Sequence, residues 1–277
     1  MTDYIDTSSD TYEALRLYES ADSVKLTWAR RSSLRLVETE VVRLALRDYL
    51  PPPPCHVIDV GCGNGFWSLY LQDLGYLVSG VDQSRPLISD AVARSKGLTG
   101  VEFSFADARN LSNFSDNAFQ FALAFGPMYG LLNQTDRIQA MSEVARVVEP
   151  GRTVLVEILQ PLAALRDLMC RAPDVVASID TSELLNNGRL TSQKVPEFLR
   201  LNRYLQPAQA AEELQIAGLT AHSVIRLDGP DPVLGQESAS RTDRASILEW
   251  ARISYRIGQM DEYHSSSSHL LIPSSVV

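Results

Sequence analysis

The run Val57-Ile58-Asp59-Val60-Gly61-Cys62-Gly63-Asn64-Gly65 places one acid inside an apolar segment and then glycine at every second position. Glycine admits a tight turn with positive φ and lets a ligand come close to the backbone. A turn of this kind after a buried strand is where an open α/β sheet binds a nucleoside-type ligand, at the carboxyl ends of its strands. The spacing is not that of a dinucleotide site. That fingerprint is G-x-G-x-x-G with a pyrophosphate on the helix N-terminus, and here Phe66 stands where its third glycine is required. Asp59, just before the turn, disfavours a pyrophosphate as well. It suits a ligand that carries a cationic amino group and a sulfonium.

Two further acids fall at comparable places. Asp82 closes the apolar run Leu77–Val81, and a carboxylate there can accept both hydroxyls of a ribose. Asp107 follows Val101–Phe105; an acid there can accept a proton from an adenine amino group, while the next backbone N–H, at Ala108, reaches a ring nitrogen. Asp82 alone is shared with dinucleotide-binding folds. The agreement of Asp59, Asp82 and Asp107, each at or near the end of an expected strand, is the sharper signal.

These residues need strands to end where they stand. Strands are expected at 56–60, 77–81, 101–105, 119–125, 153–159, 220–227 and 269–273, and helices at 66–74, 87–95, 136–148, 207–218 and 242–257. Short apolar strands alternating with helices indicate βαβ units, a parallel sheet and right-handed crossovers. Thr11 to Leu50 has helical spacing, with Val37, Val41, Leu44 and Ala45 three and four apart, and stops at Pro51–Pro54, which is expected to run as a stiff extended connector. Residues 161–205 interrupt the alternation with mixed helix and polar turns (Ser182, Asn186, Asn187, Gly188), as an insertion over the sheet would. The division expected is an N-terminal helical cap at 1–50 and a core at 51–277 with a lid at 161–205.

Composition narrows the partners. A chain of 277 residues with 45% hydrophobic and 21% charged residues is an ordinary globular one. Its formal charge of −9 opposes a phosphate backbone, despite Arg30, Arg31 and Arg35 in one segment. Cys55, Cys62 and Cys170 form no C-x-x-C pair, so neither structural zinc nor a disulfide framework is expected, and no metal. The opening Met-Thr-Asp-Tyr-Ile-Asp is unlike a signal peptide, and no apolar run approaches the ~18 residues of a membrane span. A cytoplasmic protein without nucleic-acid or membrane partners is expected, with a homodimer left open.

Val57–Gly65, Asp82 and Asp107 together resemble the motifs of class I S-adenosylmethionine-dependent methyltransferases. Phe125-Gly126-Pro127-Met128-Tyr129-Gly130-Leu131, Asp136-Arg137 and Val147-Val148-Glu149-Pro150-Gly151 extend the resemblance toward a small-molecule branch whose fourth strand ends in Gly-Pro-Leu-Tyr-His. It covers roughly 12–159 and, more weakly, Ser268-His269-Leu270-Leu271. Gly130 replaces the branch's His, and Arg152 its second turn glycine.

The resemblance implies a Rossmann-like, doubly wound, seven-stranded sheet with a reversed last strand, and S-adenosylmethionine as cofactor. It implies Gly61, Gly63 and Gly65, with Cys62, around the methionine part, Asp82 and Gln83 at the ribose, and Asp107 with Ala108 at the adenine. The backbone of Phe125 and Gly126 would face the amino group. Tyr18 would touch the cofactor from a closing helix, and Arg31 or Arg35 would pair with its carboxylate.

Tyr129 is the candidate for chemistry, against a plain lining role. Glu157 is either a general base or a hydrogen-bonded strand acid. His222, His264 and His269 are scattered and read as structural; Trp28, Phe66 and Trp67 read as core, and Cys62 as buried filler. The expected reaction is in-line methyl transfer to a C, N or O nucleophile of a small apolar or aromatic molecule such as a natural-product intermediate, in a dry chamber. The rivals are a cofactor-binding regulator without turnover, an oxidoreductase, and an RNA or protein methyltransferase. Phe66 opposes the second, and acidity and the lack of an Asn/Asp-Pro-Pro-Tyr motif oppose methylation of nucleic-acid bases.

Overall fold

The computed structural model describes residues 33–227, 244–260 and 267–277. Five strands run parallel: β1 (His56–Val60), β2 (Leu77–Asp82), β3 (Val101–Phe105), β4 (Phe119–Ala124) and β5 (Val148–Leu159). β6 (Leu219–Ala221) and β7 (Ile225–Arg226) share an edge, and β8 (His269–Val276) lies antiparallel to β5, β6 and β7. The order is β3-β2-β1-β4-β5-β8-β6, with β7 also on β8. The reversed last strand is thus present.

The strand expected over 220–227 is broken, which makes eight strands of the expected seven. Leu219 pairs with Val276 but Ile225 with Leu271, so one extra residue sits between the two pieces, as in a bulge. Pro273 lies opposite the break. It accepts the His222 N–H at 3.0 Å but has no N–H to return, so the ladder lapses there.

Helices cover both faces. α1 (Ser33–Tyr49), α2 (Phe66–Asp73) and α10 (Arg244–Gly258) pack one side; α3 (Arg85–Arg94) follows β2; α5 (Gln134–Val147) and α9 (Pro207–Ile216) pack the other side. Alternation along β4 feeds both layers: Phe121 and Leu123 join α1, α2 and α10, while Ala122 and Ala124 join α5 and α9. Val37, Val41, Ala45 and Leu46 of α1 are buried in this core, so the boundary drawn at residue 51 does not mark its edge. Pro53 and Pro54 form a bend, not the extended connector expected.

Residues 161–205 fold as α6 (Pro161–Arg171), a 3-10 turn (Pro173–Ser178), α7 (Thr181–Asn187) and α8 (Glu197–Arg200). They bury their own apolar cluster, with Ala164, Leu168, Leu184, Leu199 and Tyr204. It is tied to the sheet at Leu159 and at Tyr129, in the single-turn helix α4 (Pro127–Gly130): Leu205 N–H donates to the Leu159 carbonyl at 2.7 Å and Arg203 N–H to the Tyr129 carbonyl at 2.8 Å.

Candidate active site

β1 and β4 are neighbours whose chain connections leave in opposite directions, and in an open α/β sheet the ligand crevice belongs beyond the carboxyl ends of such a pair. The glycine loop fills its floor. Gly61, Gly63 and Gly65 have φ of 82°, 56° and 77°, all left-handed. A Cβ on Gly61 would sit 3.2 Å from Pro127 Cδ and 3.4 Å from Gly126 Cα, so the β1 and β4 loops meet at van der Waals contact. A Cβ on Gly65 would strike the Phe103 ring at 2.5 Å. A Cβ on Gly63 would meet nothing within 4 Å, which marks Gly63 as the loop position that faces open space.

Asp82 organises the loop. Its Oδ2 accepts the Gly63 N–H at 2.9 Å and its Oδ1 the Ser84 N–H at 2.8 Å. Burial raises its pKa, and the N–H groups of Ser84, Gly63 and Gln83 oppose that rise. Asp59 lies deeper, 1% exposed, and accepts the Ser68 hydroxyl of α2 at 2.6 Å. Desolvation pushes its pKa up to about 7, against the Ser68 hydrogen bond and with a smaller push from Asp82. Cys62 is buried beside both acids, and desolvation followed by their charges lifts its thiol well above the ordinary value, which suits an inert filler.

At the far end of the crevice, Asp107 is engaged by a residue that the sequence reading did not single out. Arg109 donates its backbone N–H to Oδ1 at 2.9 Å, its Nε to both oxygens at 3.1 Å and an Nη2 to Oδ2 at 2.7 Å. The guanidinium also lies 3.2 Å from Asp136. Both Asp107 oxygens are therefore already hydrogen-bonded. The Asp-x-Arg spacing was the available signal. Ala108 is half-buried beside them. Arg85 stacks over the Phe105 ring at 4.0 Å, at the strand end level with Asp82.

On the β4 side, Trp67 meets the buried Phe125 edge-to-face at 6.3 Å. Phe66 is 37% exposed and so is not the core residue expected. The Tyr129 hydroxyl lies 3.3 Å from the Phe125 carbonyl and 3.5 Å from Glu157 Oε2. Glu157 Oε1 is 2.7 Å from His269 Nδ1, and Glu38 of α1 is 4.0 Å from the same nitrogen. Tyr129 and Glu157, two separate candidates in the sequence, thus form one cluster with His269, which the sequence reads as structural, and Glu38 is an addition that no motif announces. Glu38, Glu157 and His269 offer atoms within 4.8 Å of one another, a spacing that could also hold a cation. Tyr18, Trp28, Arg31 and His264 lie outside the described residues, as does the Arg35 side chain.

The family model described as a methyltransferase domain matches residues 57–151, from the glycine loop's strand to the turn within β5. A Bacillus licheniformis protein named demethylmenaquinone methyltransferase is 32% identical over 114 residues, 40% of this chain and 47% of that one. A Streptomyces halstedii protein named methyltransferase GfsG is 31% identical over 200 residues, 68% of this chain and 66% of that one. The chain thus spans about half to two thirds of these relatives' lengths. A solved S-adenosylmethionine-dependent methyltransferase of Thermotoga maritima superposes with a TM-score of 0.60 at 16% identity, covering 95% of this chain and 99% of that one, a likeness of fold. By its matched domain, its relatives and its fold, this chain belongs to the class I S-adenosylmethionine-dependent methyltransferases.

Proposed function

We propose that this protein transfers the methyl group of S-adenosylmethionine to a small-molecule nucleophile by in-line displacement. The observation that carries this is the loop at Gly61–Gly65: three left-handed glycines, a carboxylate at Asp82 that holds the loop and faces the ribose position, and open space at Gly63. The methionine part lies along Gly61–Gly63 and the adenosine passes Asp82 and Gln83 toward Asp107 and Ala108. No metal takes part in this reading. Proximity and exclusion of water supply most of the acceleration.

An apolar acceptor is in keeping with residues 161–205, whose buried cluster, with Leu168, Leu199 and Tyr204, packs against Leu159 and Tyr129. The Bacillus relative is named for a demethylmenaquinone, and we extend that to an apolar, aromatic-headed acceptor here. No helix of the described residues is long and apolar enough to cross a membrane. A protein acting on free metabolites in the cytoplasm fits the acidic charge.

The test is transfer of label from methyl-labelled S-adenosylmethionine into a metabolite-rich cell extract, separated into small-molecule, protein and nucleic-acid fractions. Label is expected in small molecules. Label confined to RNA or protein would overturn the acceptor class, and cofactor binding without label in any extract would favour a regulator that keeps the fold.

A further inference from the structure

Sheet register brings Glu157 and His269 together. Glu157 pairs with Leu271 across the β5–β8 ladder and His269 with Leu159, so the two are diagonal neighbours on one face. Leu271, on that face, belongs to the apolar layer that α1 shares, and α1 brings Glu38 to the same place. Three elements far apart in the chain thus each supply one side chain of a type that ligates metals. None of the three lies in the glycine loop or beside Asp82 or Asp107.

The charges of this cluster do not balance. The Glu157 side chain is 10% exposed and that of Glu38 20%. Among the described residues, no Lys or Arg lies within 4.0 Å of either carboxylate; their ion-pair partner is His269, whose Nδ1 is 2.7 Å from Glu157 and 4.0 Å from Glu38. An imidazolium neutralises one carboxylate, so at least one negative charge is left over in a largely buried place. The Tyr129 hydroxyl, 3.5 Å from the other oxygen of Glu157, adds a hydrogen bond but no charge. Taking a carboxylate out of water costs several kcal/mol unless a cation compensates it.

The donor set selects the cation. Mg2+ and Ca2+ prefer shells of oxygen alone, whereas one imidazole nitrogen with two carboxylate oxygens suits a borderline divalent ion such as Zn2+ or Mn2+. One ligand atom from each of Glu38, Glu157 and His269 lies within 4.8 Å of the others. A tetrahedral ion with bonds of about 2.0–2.1 Å holds its ligand atoms about 3.3 Å apart. The short contact to Glu157 has to open, and the long one to Glu38 to close, by roughly half an ångström each, which two glutamate side chains can supply by small rotations. Tyr129 then orients Glu157 from behind, as the outer partners of metal-bound carboxylates do.

We propose that Glu38, Glu157 and His269 Nδ1 bind one divalent transition-metal ion, with Zn2+ preferred over Mn2+, and that the ion fastens α1 to the β5–β8 pair. The ion takes the place of the proton shared between Nδ1 and Glu157, and that proton leaves to water. Nothing is required of Nε2. The site goes beyond the methyltransferase reading and does not rest on it, since no step of the transfer runs through the ion.

The test uses the full chain, stripped with EDTA and titrated by calorimetry with Zn2+, Mn2+ and Mg2+ in turn. One Zn2+ per chain, weaker Mn2+ and no Mg2+ binding are expected. No Zn2+ binding, or Mg2+ bound as tightly as Zn2+, would overturn the proposal. E38Q, E157Q and H269Q should each lose the ion. E38Q decides most, because Glu38 is the least buried of the two acids and its loss should leave the melting temperature in EDTA at the wild-type value. Zn2+ should raise the melting temperature of wild type and not that of E38Q. An equal rise in both, or Zn2+ retained by all three variants, would place the ion elsewhere.

Two measurements on wild type need no variant to fold. In 15N spectra of the four histidine rings, Zn2+ should convert His269 to the form coordinated through Nδ1. Coordination through Nε2, or no change at His269, would overturn the site. Amide exchange across α1 should slow when Zn2+ binds, and unchanged exchange there would overturn the fastening of α1. Failure of methyl transfer in any extract, with these results obtained, would fail the functional reading and leave the metal site standing.

Discussion

Asp59 shows how a buried residue can carry a pH dependence for the whole protein. Its pKa is about 7 in the fold and about 4 in an unfolded chain. Between those values the folded chain binds more protons, so Asp59 makes stability fall as pH rises through the window. D59N should flatten that slope, measured as the urea midpoint at pH ~5 and ~8, by an amount on the order of a few kcal/mol. A cationic cofactor favours the ionised form, so wild-type affinity for S-adenosylmethionine should increase from pH ~6 to ~8 and that of D59N should not. Calorimetric titration in the two proteins checks this. The loop glycines differ in the same residue-by-residue way. G63A should lower stability by only about 1–2 kcal/mol, the cost of a left-handed alanine, yet weaken cofactor binding strongly, because its Cβ would enter the open space where we propose the methionine part lies. G65A should instead unfold readily, because its Cβ meets the Phe103 ring and Ala91. Thermal melts with and without cofactor separate the two.

Between elements, the buried pair Arg137–Glu213 joins α5 to α9. Arg137 donates Nε and Nη2 to Glu213 at 2.8 and 2.6 Å, and Nη1 to the carbonyls of Leu131 and Leu132. One guanidinium thus fixes two helices and the segment that leaves α4, where Tyr129 sits. Removing one partner of such a pair strands a buried charge. E213A should cost about 3–5 kcal/mol by denaturant unfolding, whereas replacing both residues with apolar ones should recover much of that loss. The elements also explain why the sequence resolved some strands and not others. β1, β4 and the 153–159 part of β5 are flanked by strands on both sides and read as largely apolar runs. The edge run over 220–227 reads as one strand because its residues have strand character; the break comes from Pro273 of β8, which no local pattern in 220–227 contains.

At the scale of the molecule, the sheet's two apolar layers are separate from the cluster of 161–205, which is tied to the rest at Leu159 and Tyr129, by two backbone hydrogen bonds, and by the bonds of Arg166 to Ser268 and of Gln209 to Asn186. A unit with its own small core opens at a lower free energy than the sheet. Amide exchange in 161–205 should therefore be faster than in β1, β4 and β5, and should slow when cofactor and acceptor are both bound. Equal protection throughout would show that the lid is part of the main core.

The local sequence determined what local physics controls. Alternating apolar strands and helices specified the α/β sheet, and glycines at 61, 63 and 65 specified a loop that only left-handed residues can make. Acids at 59, 82 and 107 marked strand ends, since each follows an apolar run directly. Tertiary structure alone decided the rest, because it depends on residues far apart in the chain. It set Asp136 against Arg109, it buried α1 in the core that was expected to begin at residue 51, and it joined Glu157 to His269 across 112 positions. His269 looked like a stray histidine in the sequence because its partner is supplied by the antiparallel pairing of β5 with β8, a register that sheet closure sets and no neighbouring residue encodes.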